Sequence, residues 1–157
     1  MFSFLKREKN LSSVANGRII GLAKVPDQVF SQKILGDGFA VVPTNGNFFS
    51  PIDGTVTDVT ETLHAYCITS RDGLEILVHI GIDTVELKGE FFTSLVKKGD
   101  TIHRGDAIAL ADIDAIKEKG YNTTTMVVIT NTEKLKEFRV LESPSAKAGS
   151  PALAYKS

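Results

Sequence analysis

Histidine is the residue type in this sequence with the clearest capacity for chemistry, and it occurs at three positions, His64, His79 and His103. His79 interrupts the apolar run "ILVHIGI" at residues 76–82. An imidazole taken out of water without a partner is costly, so His79 is either a satisfied core residue or a group held for chemistry. His103 lies between two Gly-Asp turns in "GDTIHRGD", where we expect it to be solvated.

His64 and His79 lie on two β-patterned segments, "TLHAYCIT" and "LEILVHIG", which the turn at residues 70–73 separates. If Arg71-Asp72 is the hairpin loop, the two histidines are directly opposed. If Asp72-Gly73 is the loop, they are diagonal neighbours on one face. Their Cβ atoms would then be about 5 Å or about 7 Å apart. A three-residue loop with a bulge would instead send one histidine to the other face.

Two further residues define the environment of the pair. Thr62 precedes His64 by two residues and shares its face if the strand alternates regularly, so its hydroxyl can bond one nitrogen of that ring and select its tautomer. Leu77 shares the face of His79 in the same way. Apolar neighbours favour the neutral imidazole, which keeps a nucleophilic lone pair on one ring nitrogen.

Three kinds of chemistry use such a pair. A hydrolytic triad fits poorly, because no Ser/Asp completion is evident. Two histidines are half of a zinc site, which Asp83, Glu75 or a partner would have to complete. In a phosphoryl relay, one imidazole carries the phosphate and the second donates a hydrogen bond to its oxygens, which a small rigid β face can support. The residues alone leave these alternatives open, along with a purely structural pair.

The elements that position these residues are predicted to be mostly strands. Turn signals such as Asn-Gly, Asp-Gly and Lys-Gly-Asp recur along the chain, with segments rich in Val, Ile, Thr and Phe between them. This rhythm predicts an all-β fold, an antiparallel β-sandwich or barrel. Few helices are expected. One is predicted at residues 112–119, where Asp112 can cap and Gly120 can stop it, and a weaker one at 27–34.

Composition indicates one ordinary globular domain. The chain has 157 residues, 24% of them charged, and a net charge of −1. Because no basic stripe is present, nucleic acid is not an expected partner. One cysteine, Cys67, excludes an intramolecular disulfide and fits a reducing, cytoplasmic setting.

We expect a flexible N-terminal segment at 1–15, a domain at 16–139 and a mobile C-terminal tail at 140–157. Phe2, Phe4 and Leu5 beside basic residues suggest peripheral membrane contact through the N-terminus.

The segment "GLEILVHIGIDTVEL" at 73–87 resembles the active-site signature of the glucose-type enzyme IIA family of the bacterial phosphoenolpyruvate-dependent sugar phosphotransferase system. Supporting matches are "PDQVFSQKILGDGFAVVPT", "SPIDGTVTDVTETLHAY" and "VKKGDTIHRGD". The resemblance covers roughly 17–132. The chain departs from familiar members in having Leu77 and Ile80 where phenylalanines often flank the histidine. The family fold, an antiparallel β-sandwich with short helices, agrees with the turn rhythm.

The resemblance implies a role for each site residue. His79 matches the phosphorylated histidine, which accepts the phosphoryl group from phospho-HPr and passes it to the IIB domain of a sugar permease. His64 matches the second histidine, which bonds the phosphate and supports onward transfer, and Thr62 matches the threonine that orients it. No cofactor is required. In some members the two histidines bind zinc at an interface with a regulatory target, which here implies His64 and His79 as conditional ligands.

Other functions remain as alternatives. The "GDTIHRGD" turns also occur in biotinyl or lipoyl carrier domains, but those need a lysine at an exposed hairpin tip in a Met-Lys-Met or Asp-Lys-Ala context. The nearest loop lysine, Lys88, is expected to be an ordinary solvated residue. A zinc peptidase on a related fold would need a His-x-His strand, which this chain lacks. A non-catalytic regulatory binding module with inert histidines is the last alternative.

Overall fold

Short antiparallel strands are the predominant secondary structure of the described residues. The computed structural model describes residues 8–157. In sequence order the strands are β1 (Lys9–Ser12), β2 (Gly17–Gly21), β3 (Asp37–Pro43), β4 (Asn47–Phe49), β5 (Gly54–Val59), β6 (Ala65–Ser70), β7 (Glu75–Ile80), β8 (Phe92–Ser94), β9 (Thr101–Ile102), β10 (Ala107–Ala111), β11 (Thr125–Ile129), β12 (Glu137–Val140), β13 (Ser143–Ala146) and β14 (Pro151–Lys156).

These strands form three sheets. The largest has the order β13-β2-β3-β11-β7-β6-β5-β9, and two smaller sheets have the orders β1-β14-β12 and β4-β10-β8. Side chains from all three sheets meet in one hydrophobic core, which includes Val78, Phe48 and Leu153. The largest sheet ends at two different strands and does not close on itself. The predicted all-β antiparallel fold is therefore confirmed, as a sandwich of open sheets rather than a barrel.

The two helices fall where the capping residues predict them. Helix α1 (Gln28–Ser31) is capped by Asp27, whose carboxylate accepts hydrogen bonds from the backbone N–H groups of Val29 and Phe30. Helix α2 (Ile113–Glu118) is capped in the same way by Asp112. Gly120 follows α2 with a φ of +92°, a conformation that ends helices readily at glycine. Further 3-10 turns lie at Leu22–Lys24, Thr84–Leu87 and Thr132–Lys134.

Both predicted flexible ends need correction within the described residues. Strand β1 lies inside the segment predicted to be flexible, and Leu11 is fully buried. The predicted mobile tail at 140–157 contains β13 and β14, and Leu153 and Tyr155 of β14 are buried. Strand β14 is central in its small sheet and carries small residues, so it lacks the alternation that marks a half-exposed strand. The packed unit is therefore longer than the predicted 16–139.

The apolar N-terminal residues Phe2, Phe4 and Leu5 lie outside the described residues, so the expected membrane contact has no structural counterpart here. Among residues 8–157, every helix is too short to cross a bilayer.

Candidate functional site

The hairpin that carries His79 has the register that was expected to separate the histidines. Across β6 and β7, Ala65 is opposed to His79 and Cys67 to Leu77. The loop is the three-residue one, closed by a hydrogen bond from the backbone N–H of Ser70 to the carbonyl of Leu74. Gly73 completes it with a φ of +90°. Neither two-residue loop forms, and Ala65 instead of His64 is the cross-strand neighbour of His79.

The two imidazoles nevertheless meet, because His64 lies just outside the regular strand. It precedes β6 and follows Leu63, whose φ of +62° turns the chain. The His64 carbonyl accepts a 2.7 Å hydrogen bond from the backbone N–H of Ile80. Its ring packs edge-on against His79 with centroids 4.8 Å apart and planes at 82°. The predicted pair is present, although strand alternation is not what builds it.

Thr62 contacts His64 through the same turn. Its Oγ1 lies 2.7 Å from His64 Nδ1, and Thr60 Oγ1 lies at 3.5 Å from the same atom. The predicted partner of the ring is therefore in place. Thr62 lies in the turn before β6, so the face-sharing argument for it does not apply. Thr60 was not predicted, because its position four residues before His64 has meaning only once the turn is known.

The tautomer of His79 follows from one hydrogen bond. Its Nδ1 lies 2.8 Å from the carbonyl oxygen of Gly81. A carbonyl only accepts, so Nδ1 carries the proton and Nε2 keeps its lone pair. Gly81 has a φ of +82°, which favours glycine, and a Cβ at this position would collide with the side chain of Thr84. The backbone just past β7 thus holds the ring in one orientation.

Burial keeps both rings neutral. Desolvation, and secondly the charge of His79, lower the pKa of His64 to about 4. Desolvation also lowers the pKa of His79, against the Gly81 hydrogen bond and the carboxylates of Asp27 and Asp83, which act in the opposite direction. These shifts leave uncharged imidazoles at neutral pH, as a nucleophile requires.

An apolar cluster surrounds His79 on this face of the sheet. Phe30 is 6% exposed, and its ring lies over His79 with centroids 5.0 Å apart. It belongs to a cluster with Ile82 and Met126, against which the predicted neighbour Leu77 packs. Phe30 comes from α1, far from His79 in sequence, so only the tertiary fold reveals that an aromatic ring covers the histidine.

The donor set does not complete a metal site within the described residues. Among residues 8–157, no group of three or more His, Cys, Asp and Glu side chains is placed to hold a metal ion. Both Nδ1 atoms are engaged, so only the Nε2 atoms of His64 and His79 remain as donors. Zinc in a tetrahedral site would therefore need its other ligands from outside the described part of the chain.

The remaining predicted positions lie elsewhere. His103 is 64% exposed with Nδ1 at 3.6 Å from Asp106, which confirms the expectation of a solvated ring. Lys88 is exposed, as expected.

The fold and the site define a class, small β-sandwich domains with a neutral histidine pair in an apolar face. The profile of the family described as "phosphoenolpyruvate-dependent sugar phosphotransferase system, EIIA 1" matches residues 9–135. The chain belongs to this family and is a IIA component of that phosphotransferase system. That membership argues against the biotinyl or lipoyl carrier.

Individual relatives agree. A glucose-specific EIIA component of Oceanobacillus iheyensis is 43% identical over 152 residues, 95% of this chain and 92% of its own length. A glucose-specific EIICBA component of Streptococcus pneumoniae is 47% identical over 142 residues, 90% of this chain but 19% of its own length. The solved structure titled glucose permease IIA from Mycoplasma capricolum superposes with a TM-score of 0.87 at 30% identity, covering 98% of this chain and 99% of that one.

Proposed function

We propose that this chain is a glucose-type phosphocarrier in which Nε2 of His79 receives a phosphoryl group from phospho-HPr and passes it to the IIB domain of a sugar permease. In the first transfer the lone pair of His79 Nε2 forms the new bond to phosphorus as the bond to HPr breaks, and in the second a nucleophile of IIB forms the new bond as the bond from phosphorus to Nε2 breaks. The donor keeps the electron pair of that bond. Such a transfer depends on positioning and charge stabilisation more than on further covalent chemistry.

The observation that carries the proposal is the 2.8 Å contact between His79 Nδ1 and the Gly81 carbonyl. It assigns the free lone pair to Nε2, and the depressed pKa of His79 keeps that lone pair available at neutral pH. A group phosphorylated at Nε2 would also retain the Gly81 hydrogen bond, since Nδ1 keeps its proton. The phosphorylated state is therefore expected to form without a ring flip.

His64 supports the second half of the relay. If the Thr62 hydroxyl donates to Nδ1 of His64, the proton of that neutral ring lies on Nε2. With the ring centroids 4.8 Å apart, this proton can reach a phosphate oxygen on the neighbouring ring. We assign to His64 the hydrogen bond that stabilises charge during onward transfer, and to Thr62 the orientation of His64.

The test is a relay assay with phosphoenolpyruvate, enzyme I and HPr, read as a phosphohistidine mass shift. The wild type and the exposed control His103→Gln should be labelled, and His79→Gln should not. His64→Gln should accept phosphate but pass it slowly to IIB. Full labelling of His79→Gln would refute the assignment, and an unlabelled wild type would refute it and favour a regulatory module with inert histidines.

The names of the relatives support a proposal for the cargo. Several carry glucose-specific names and others β-glucoside-specific names, including an EIIBCA component of Bacillus subtilis. We propose that the chain serves a glucose-type permease and acts in the cytoplasm. In larger relatives the matched region is a small part of the protein, so the IIB acceptor is either a separate chain or a domain joined to this one. A further role, conditional on zinc, is the binding of a regulatory protein whose residues would share the metal ion with His64 and His79.

A further inference from the structure

Two consecutive peptide units after His79 are each held by a hydrogen bond to a residue outside the strand. The carbonyl of Ile80, in the first unit, accepts a 2.5 Å hydrogen bond from Thr84 Oγ1. The N–H of Ile82, in the second unit, donates a 2.9 Å hydrogen bond to the Asn122 carbonyl. Because Ile80 is the last residue of β7, these two bonds continue the restraint on the backbone where the strand ends.

The residue between the two units is Gly81, whose carbonyl accepts the 2.8 Å hydrogen bond from His79 Nδ1. This carbonyl and the N–H of Ile82 belong to one planar peptide unit, so the bond to Asn122 also fixes the direction of the carbonyl. The surroundings are close. A Cβ on Gly81 would lie 2.4 Å from Thr84 Cγ2 and 3.2 Å from the carbonyl oxygen of Asn122. The Gly81 carbonyl therefore has little freedom to rotate away from the imidazole.

Thr84 reaches Ile80 because the chain turns back directly after this segment. Asp83 has a φ of +60°, a left-handed conformation that aspartate adopts more readily than most residues, and the 3-10 turn Thr84–Leu87 follows it. The Thr84 side chain is fully buried, so its hydroxyl needs a partner inside the protein to avoid the cost of an unsatisfied polar group. The partner is the Ile80 carbonyl, one peptide unit before the carbonyl that contacts His79.

Resting on the proposed function, we propose that Thr84 is a positioning residue for phosphoryl transfer, whose hydroxyl holds the Gly81 carbonyl at Nδ1 of His79 and so keeps the nucleophilic lone pair on Nε2. As Nε2 forms its bond to phosphorus, the ring gains positive charge, which it shares with the Nδ1 proton. A carbonyl oxygen already fixed at Nδ1 stabilises that charge without having to reorganise. The bond to Asn122 adds to this effect, because a peptide unit that donates through its N–H is polarised and accepts more strongly at its carbonyl.

The direct test is the tautomer of His79, measured by NMR from the nitrogen chemical shifts of its ring at a pH above the pKa of both site histidines. The wild type should show only the form protonated at Nδ1. Thr84→Val, which keeps a similar shape and removes the hydroxyl, should show a mixture of both tautomers, and Thr84→Ser should restore the wild-type form. The matched control Thr125→Val removes an equally buried hydroxyl, which bonds the carbonyl of Thr123, and should match the wild type.

A second arm measures the rate of transfer from phospho-HPr by rapid quench, with the concentration of phospho-HPr varied. Thr84→Val should lower the maximal rate about tenfold, because the attacking nitrogen is no longer held in one state and orientation. The concentration that gives half of the maximal rate should change little, since the fully buried Thr84 side chain cannot touch HPr. Thr84→Ser and Thr125→Val should transfer at the wild-type rate.

The inference is overturned if folded Thr84→Val keeps the wild-type tautomer or the wild-type maximal rate, if Thr125→Val has an equal effect, or if Thr84→Ser restores neither property. If Thr84→Val does not fold, Thr84→Ala, which also lacks the hydroxyl, carries both measurements. The tautomer measurement needs no relay component. An unlabelled wild type would therefore refute the proposed function, whereas a labelled wild type with an unresponsive Thr84→Val would refute only the positioning role.

Discussion

Acid should destabilise this protein through His64, and the size of the effect can be calculated. The side chain is 6% exposed and its pKa is lowered to about 4 by burial, with the charge of His79 as a smaller cause. In the unfolded chain a histidine has a pKa of about 6.5. The unfolded state therefore binds more protons than the folded state below about pH 6.5, and stability falls as the pH falls. The loss is complete below the folded pKa of about 4.

Between about pH 7 and about pH 5, linkage gives a loss of about 2 kcal/mol in the free energy of unfolding from His64 alone. Urea denaturation at the two pH values measures it, and His64→Gln should lose about 2 kcal/mol less than the wild type over the same interval. The pKa of His79 is also lowered and adds a loss of the same sign in both proteins, so the difference reports His64 together with its electrostatic coupling to His79. The exposed His103→Gln should behave as the wild type. Equal losses in His64→Gln and the wild type would refute the reasoning.

Three further predictions test the site and the corrected C-terminus. Thr62→Val removes the 2.7 Å hydrogen bond to His64, so onward transfer to IIB should slow about tenfold while acceptance from HPr changes little; equal slowing of both steps would contradict the orienting role. Gly81→Ala should lower the free energy of unfolding by about 1–3 kcal/mol in urea, because its φ of +82° and the Thr84 side chain exclude a Cβ. Leu153→Ala, at a fully buried position of β14, should lower the free energy of unfolding by about 2–5 kcal/mol, whereas an unchanged urea midpoint would support the predicted mobile tail.

Local signals predicted the elements of this fold well. The turn rhythm predicted antiparallel strands, and an aspartate followed by a stopping glycine predicted α2. These features depend on backbone conformations that a few neighbouring residues determine. Strand β14 was missed because its burial comes from both neighbours in its sheet and from the core. The segment "PALAYK" shows no alternation of apolar and polar residues from which those contacts could be predicted.

The histidine pair was predicted correctly for a partly wrong reason. Regular alternation and a two-residue loop would have paired the rings, yet the loop has three residues and His64 lies outside β6. The compensating feature is Leu63 in a left-handed conformation, which few non-glycine residues adopt and which no sequence rule assigns to leucine. Phe30 was missed because the contact of α1 with His79 is tertiary.

The position of both histidines at strand ends has a chemical basis. Inside a regular ladder, backbone carbonyls are used by neighbouring strands, and an imidazole finds few local acceptors for its Nδ1 proton. Gly81 lies one residue beyond β7, and its carbonyl is free to accept from His79. The turn before β6 likewise brings the Thr62 hydroxyl to His64. Because each ring is fixed through Nδ1, both Nε2 atoms remain for chemistry, while the strands behind them supply the burial that lowers both pKa values. The same burial that keeps the nucleophile neutral is thus the origin of the predicted acid sensitivity.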